Sequence, residues 1–348
     1  MKVRCFYLDG LLKQHVEKSL KISDGTTHRV HVGRSPRQVE SMFSFHRDEA
    51  GSYGEQMTNK DPSVGAVDIE DMHVEWLEIG EGPLALCLHG FPDSAHTYRF
   101  LLPALADAGY RAVAPWTRGY APTSVAPDGW YQTGVRARDA CQLHEALGAD
   151  GDAVLIGHDW GAGTAYVAAT KEPDRWRRVV AMAVPPAGRV MNAFFDYAQL
   201  RRSSYMFIFQ HPLAEALVPH DDWAFIKGLW SDWSPGYDHA EDVAHFVDSV
   251  SPDGHLTAAL GYYRATFQPE LTSQELSDWE KAGSSAPPQP TLYVHGQNDG
   301  CIGIEVADGV EADLSSGSKF VVVENAGHFA HLERPDFVNT EIVGFLNS

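Results

Sequence analysis

One stretch, Val154-Leu155-Ile156-Gly157-His158-Asp159-Trp160-Gly161-Ala162-Gly163, limits the available folds more than any other part of the chain. A continuous apolar run enters a Gly-x-Asp-x-Gly turn and leaves it through small, helix-compatible residues. Glycines two positions either side of a central residue permit a turn so tight that the central side chain projects above a sheet at a helix N-terminus, as in a nucleophile elbow. The bland alternative is a Gly-rich turn in which Asp159 only caps the helix, since Asp is a favoured cap. Matches elsewhere in the chain weigh against it.

The surrounding pattern is the one such a turn requires. From residue 70 onward, strand-like and helix-like segments alternate with short connections. An alternating edge strand is expected at His73 to Ile79 and a strand buried on both faces at Pro83 to Leu88, followed by a helix at Thr97 to Ala108. Strand Arg111 to Pro115, helix Gly134 to Leu147, strand Ala153 to Ile156, helix Gly161 to Thr170 and strand Val179 to Val184 follow. Alternation of this kind predicts an α/β fold with a mostly parallel central sheet covered by helices.

Residues 186–286 interrupt the alternation with dense aromatics at helical spacing, and are expected to form an inserted helical cap. Core elements resume over 287–348: strand Thr291 to His295, a helix near Ile304 to Leu314, strand Phe320 to Val323 and a last helix from Pro335. The first part of the core is thus placed at 66–185. Residues 1–65 carry mixed charge and turn formers without a sustained period, and are expected to be a mobile extension. Met57 is a candidate natural start, which would make 1–56 extraneous.

With 27 Lys+Arg against 47 Asp+Glu the formal charge is −20, which disfavours phosphate backbones and anionic lipid as partners. No run of about 18 apolar residues is present, so no membrane span is expected. Cys5, Cys87, Cys141 and Cys301 show neither CxxC spacing nor disulfide density, which points to the reducing cytoplasm.

A carboxylate in the elbow decides the reaction class. It attacks an sp³ carbon and yields an alkyl ester, which water then hydrolyses at the Asp carbonyl. His89-Gly90-Phe91-Pro92-Asp93 ends the earlier apolar strand, where this architecture supplies an oxyanion donor, so the N–H groups of Phe91 and Trp160 are the expected pair. An acid and then a histidine should follow at the ends of later strands. Asp299 follows strand Thr291 to His295, and His328 follows strand Phe320 to Val323. His328 is the expected base for water, with Asp299 orienting it; His331, His158 and His89 are competitors among 17 histidines.

Together, HGFPD, Arg118-Gly119-Tyr120, GHDWG, Asp299 and Gly327-His328-Phe329 resemble the α/β-hydrolase superfamily over residues 70–348, and specifically its epoxide hydrolases. Trp116-Thr117 and Ala121-Pro122-Thr123 depart from the family pattern in a loop beside the site. The resemblance implies the α/β-hydrolase fold, no cofactor, no metal and a small-molecule epoxide opened to a vicinal diol. It also implies two cap tyrosines that hydrogen-bond the epoxide oxygen. Tyr205, in Tyr205-Met206-Phe207-Ile208-Phe209, and Tyr263, in Gly261-Tyr262-Tyr263-Arg264, match by register, with Tyr262 as the competitor. Trp160, Phe91 and Tyr262 are expected to touch substrate. Aromatic density in the cap suggests an apolar or aryl epoxide. Haloalkane dehalogenases share the Asp nucleophile and are the nearest alternative; a catalytically silent binder of apolar ligands is another. A homodimer is compatible with this reading, though nothing in the sequence argues for it.

Overall fold

Side chains alternate along a strand, so a strand buried on both faces needs apolar residues at every position. Leu84, Leu86 and Leu88 pack into one core cluster and Ala85 and Cys87 into another, on opposite sides of the same strand. The computed structural model describes residues 61–186 and 188–348.

Among the described residues, eight strands form one sheet: β1 (Ser63–Ile69), β2 (Met72–Ile79), β3 (Leu84–Leu88), β4 (Arg111–Pro115), β5 (Val154–His158), β6 (Arg178–Met182), β7 (Thr291–Gly296) and β8 (Lys319–Val323). Their order is β1-β2-β4-β3-β5-β6-β7-β8. β3 to β8 pair in parallel, whereas β1 and β2 run antiparallel at one edge. Helices α1 (Leu101–Asp107) and Pro335–Leu346 cover one face; α2 (Thr133–Ala146) and α3 (Trp160–Lys171) cover the other.

Two local expectations are corrected. β1 begins at Ser63, so the last residues of the expected extension belong to the sheet; the expectations for residues 1–60, including a start at Met57, lie outside the described residues. Glu70, at φ 49°, helps close the tight connection that returns β1 onto β2. The helix expected near Ile304 to Leu314 is instead two short 3₁₀ turns, Ile304–Ala307 and Val310–Ala312, with Gly309 between them at φ 67°.

Between β6 and β7 the chain leaves the sheet as a run of helices from Arg189–Ala193 to Ser277–Ala282, the expected cap. Its helix His220–Trp233 reaches down to the catalytic end of the sheet. The Trp230 indole lies flat on Phe329, centroids 3.5 Å apart, and its Nε1–H donates to the Pro92 carbonyl at 3.1 Å.

Candidate active site

Parallel strands all present their C-terminal ends on one side, so loops that follow different strands meet there. The loops after β3, β5, β7 and β8 bring Phe91, Asp159, Asp299 and His328 together. Asp159 sits between β5 and α3 at φ 52°, a left-handed conformation that costs a non-glycine residue energy and recurs where function demands it. Close packing fixes the glycines. A Cβ on Gly161 would overlap the Leu88 carbonyl, one on Gly157 the backbone of Gly161, and one on Gly90 the Asp159 side chain itself.

The carboxylate thus held is buried, hydrogen-bonded at one oxygen and in charge contact with the imidazole at the other. Phe91 N–H donates to Asp159 Oδ1 at 2.9 Å, and His328 Nε2 lies 3.6 Å from Asp159 Oδ2. Trp160 begins α3, so its N–H is one of the helix-terminal amides without an intrahelical acceptor. On the far side of the imidazole, His328 Nδ1 and Asp299 Oδ2 are 2.9 Å apart. Asp299 is anchored in turn, its Oδ1 accepting from Cys301 N–H at 2.8 Å and Ile302 N–H at 2.9 Å. The expected nucleophile, base and acid are therefore one connected set.

Electrostatics follow from that connectivity. Burial favours the neutral form of each carboxyl, but the nearby His328 and the backbone N–H donors outweigh it, so Asp159 and Asp299 are both held below the usual carboxylate range. Burial likewise opposes charge on His328. The two carboxylates flanking it outweigh burial and raise it to about 10. His158, which the sequence left as a competitor, is pushed down to about 3 by burial and the neighbouring His328; its Nε2 lies 3.0 Å from the His328 carbonyl. His331 pairs with Thr97 and His89 with Thr117.

Asp159, Trp160, Tyr205 and Tyr263 line one cavity of about 380 Å³. Val184, Val190, Phe194 and Met206 make much of its wall apolar, while Gln132, Thr133 and Glu280 form a polar end that the sequence did not reveal. Among the described residues, the Tyr263 hydroxyl is buried without a hydrogen-bond partner, and that of Tyr205 meets only the Cys301 thiol at 3.6 Å. Tyr262 is elsewhere. Its hydroxyl donates to the Arg118 carbonyl at 2.7 Å, and its ring faces the Arg136 guanidinium, so the expected contact with substrate is not its role in this geometry. The Phe91 ring is fully buried and edge-on to Phe209, Phe246 and Tyr263, so it is the Phe91 backbone, not its side chain, that reaches the nucleophile.

The sequence also missed how the cap grips this set. The Trp233 carbonyl accepts from the N–H groups of Gly300 and His328, and Ser234 Oγ accepts from Phe329 N–H. Backbone acceptors leave no residue-type signal.

Comparison with known proteins agrees with the geometry. Residues 83–335 match the α/β hydrolase fold family. An epoxide hydrolase of Caballeronia sordidicola is 31% identical over 305 residues, 78% of this chain and 89% of that protein. The chain belongs to the epoxide-hydrolase family. Solved epoxide hydrolases show the same architecture: that of Bacillus megaterium in complex with an inhibitor has TM-score 0.69 and 26% identity, covering 82% of this chain and 100% of its own. An epoxide hydrolase from an endophytic Streptomyces has TM-score 0.67 and 28% identity, covering 83% and 96%. Epoxide-hydrolase-type chemistry on an Asp-His-Asp triad follows from membership and geometry together. Among the described residues, no helix is long and apolar enough to cross a membrane.

Proposed function

We propose that the protein opens an apolar or aryl epoxide to a vicinal diol in two half-reactions, without a cofactor. The observation that carries this reading is the unpartnered Tyr263 hydroxyl, buried on the same cavity as Asp159 and Tyr205. Burial pushes both phenols well above their usual range, so they present O–H donors to a ring oxygen. Asp159 attacks a ring carbon, the C–O bond breaks, and the oxygen takes its proton from the tyrosine pair.

Ester formation then changes the base. The Asp159 charge, one of the two that hold a proton on His328, disappears, so the imidazolium gives its proton back to the tyrosinate left by ring opening and the neutral imidazole can then deprotonate water. Water adds to the Asp159 carbonyl carbon, the oxyanion meets the N–H groups of Phe91 and Trp160, and the diol leaves. Each such donor supplies about 2.7–4 kcal/mol in other enzymes. Cytoplasmic residence is part of the proposal, supported by three buried free thiols, Cys87, Cys141 and Cys301.

Intact-mass measurement of His328→Gln after exposure to aryl and alkyl epoxides tests this. Without its base the ester should accumulate as a mass gain equal to the whole epoxide, lost again when Asp159→Ala is added. A gain of only the alkyl group from a haloalkane, with no epoxide adduct, would move the assignment to halide release. Folded protein without any adduct would count against covalent catalysis at Asp159.

A further inference from the structure

Cys301 is not needed for the chemistry above, yet its thiol points at it. The side chain is buried beside the Tyr205 hydroxyl, and one ligand atom each from Cys301, Asp159 and His328 lie within 4.8 Å of one another. Among the described residues, His328 Nε2 is buried and without a hydrogen-bond partner, and Asp159 Oδ2 is 3.6 Å from it. Ligands of a tetrahedral zinc ion stand roughly 3.3–3.8 Å apart, given bond lengths of about 2.0–2.3 Å. That spacing already exists between His328 and Asp159.

The outer shell is also that of a metal site. A metal-bound histidine commonly donates its other ring N–H to a carboxylate, which fixes its tautomer and raises its basicity. Asp299 stands in that position at 2.9 Å, itself anchored by two backbone N–H groups. A base held for catalysis is thereby also held for a cation.

We propose that Cys301 Sγ, His328 Nε2 and an Asp159 oxygen form an inhibitory site for a thiophilic divalent cation of the Zn²⁺ or Cd²⁺ type. Sulfur and imidazole select such ions over Mg²⁺ or Ca²⁺. Asp159, which lines the substrate cavity, gives the ion its route in, and a solvent water would complete the fourth position. Binding converts the thiol to thiolate and leaves His328 neutral at Nε2; the displaced protons go to solvent, the Nδ1–H stays on His328 and donates to Asp299, and no redox change occurs. Nucleophile and base are then both occupied, so turnover stops. The proposal does not depend on which substrate the enzyme takes.

The test uses the full chain carrying Cys5→Ser, because Cys5 lies outside the described residues. Cd²⁺ is titrated while the ultraviolet thiolate-to-cadmium charge-transfer band is followed. Zn²⁺ inhibition of turnover and its reversal by EDTA are measured in parallel. One equivalent should saturate the band, and Cys301→Ser should abolish it while raising the half-inhibiting Zn²⁺ concentration more than about tenfold. Cys301→Ala, and loss of the band in His328→Gln, guard against a folding defect peculiar to serine. A band that survives Cys301→Ser, no band at all, or equal Zn²⁺ inhibition of parent and both variants would overturn the proposal.

Discussion

The Trp233 carbonyl accepts a hydrogen bond from the His328 backbone N–H at 3.0 Å. The same oxygen accepts from Gly300 N–H at 3.1 Å, so one peptide group of the cap ties down the loops that carry base and acid. Glycine is required at both loops for this approach. A Cβ on Gly327 would overlap the Trp233 carbonyl, and one on Gly300 would overlap that of Asp232.

Gly327→Ala should therefore displace His328 from Asp159 without touching either side chain. A misplacement of about 1 Å costs roughly 100-fold in rate. The expected outcome is a kcat loss of that order with substrate affinity within a few-fold of the parent, read by steady-state kinetics. Equal losses in affinity and kcat would show that the cap contact shapes the cavity rather than the base.

Acid should separate the two half-reactions. Asp159 is held below the usual carboxylate range, so alkylation should stay constant as pH falls through neutrality. His328 stands at about 10 only while Asp159 is charged. In the ester that charge is gone, so hydrolysis should show an acid limb with its midpoint well below 10, falling about tenfold per pH unit beneath it. Asp299→Asn removes the remaining raising charge, so its limb should move to lower pH while the plateau drops roughly 10³–10⁴-fold from loss of the oriented tautomer. Rapid-quench measurement of ester formation and decay against pH resolves both. A limb shared by alkylation and hydrolysis would contradict this assignment.

The catalytic set was legible because each member follows a strand with its own turn chemistry: Gly157 and Gly161 around Asp159, Gly300 after Asp299, Gly327 before His328. Backbone contacts were not legible, since the carbonyl of Trp233 could belong to any residue. β1 escaped because it is an edge strand whose residues are largely exposed, and burial is what imposes a readable period. Adjacent residues on a helix point about 100° apart. Motif register favoured Tyr263 over its neighbour Tyr262, and in the structure Tyr263 lines the cavity with Asp159 while the Tyr262 hydroxyl is bound to the Arg118 carbonyl.

That packing makes the two tyrosines separable by experiment. Tyr263→Phe removes a hydroxyl on the cavity and should slow alkylation roughly 100-fold, with Tyr205→Phe close behind. Tyr262→Phe removes the bond to the Arg118 carbonyl instead. It should lower stability by about 1 kcal/mol and leave alkylation within a few-fold of the parent. Denaturant midpoints and single-turnover rates on the three variants check this; a larger rate loss in Tyr262→Phe than in Tyr263→Phe would reverse the register.

Asp93 offers a prediction about stability. Its side chain is buried, Oδ1 accepts from Ser94 N–H at 2.8 Å, and Oδ2 has no hydrogen-bond partner among the described residues. Burial pushes the carboxyl up to about 8, with nearby Asp242 adding to the effect and Thr97 and Arg99 opposing it. Unfolded, the same group ionises near 4. Between those values the native state holds a proton that the unfolded chain has lost, so Asp93 lowers stability as pH rises, by about 1.4 kcal/mol per unit. Below pH 4 both states are protonated and the effect vanishes; above 8 it is complete. Asparagine keeps the acceptor for Ser94 and cannot ionise. Asp93→Asn should accordingly raise the urea midpoint at pH 8 far more than at pH 5, giving a flatter stability profile than the parent. Parallel profiles for the two proteins would mean that Asp93 is ionised in the fold, its charge compensated by Thr97, Ser94 and Arg99.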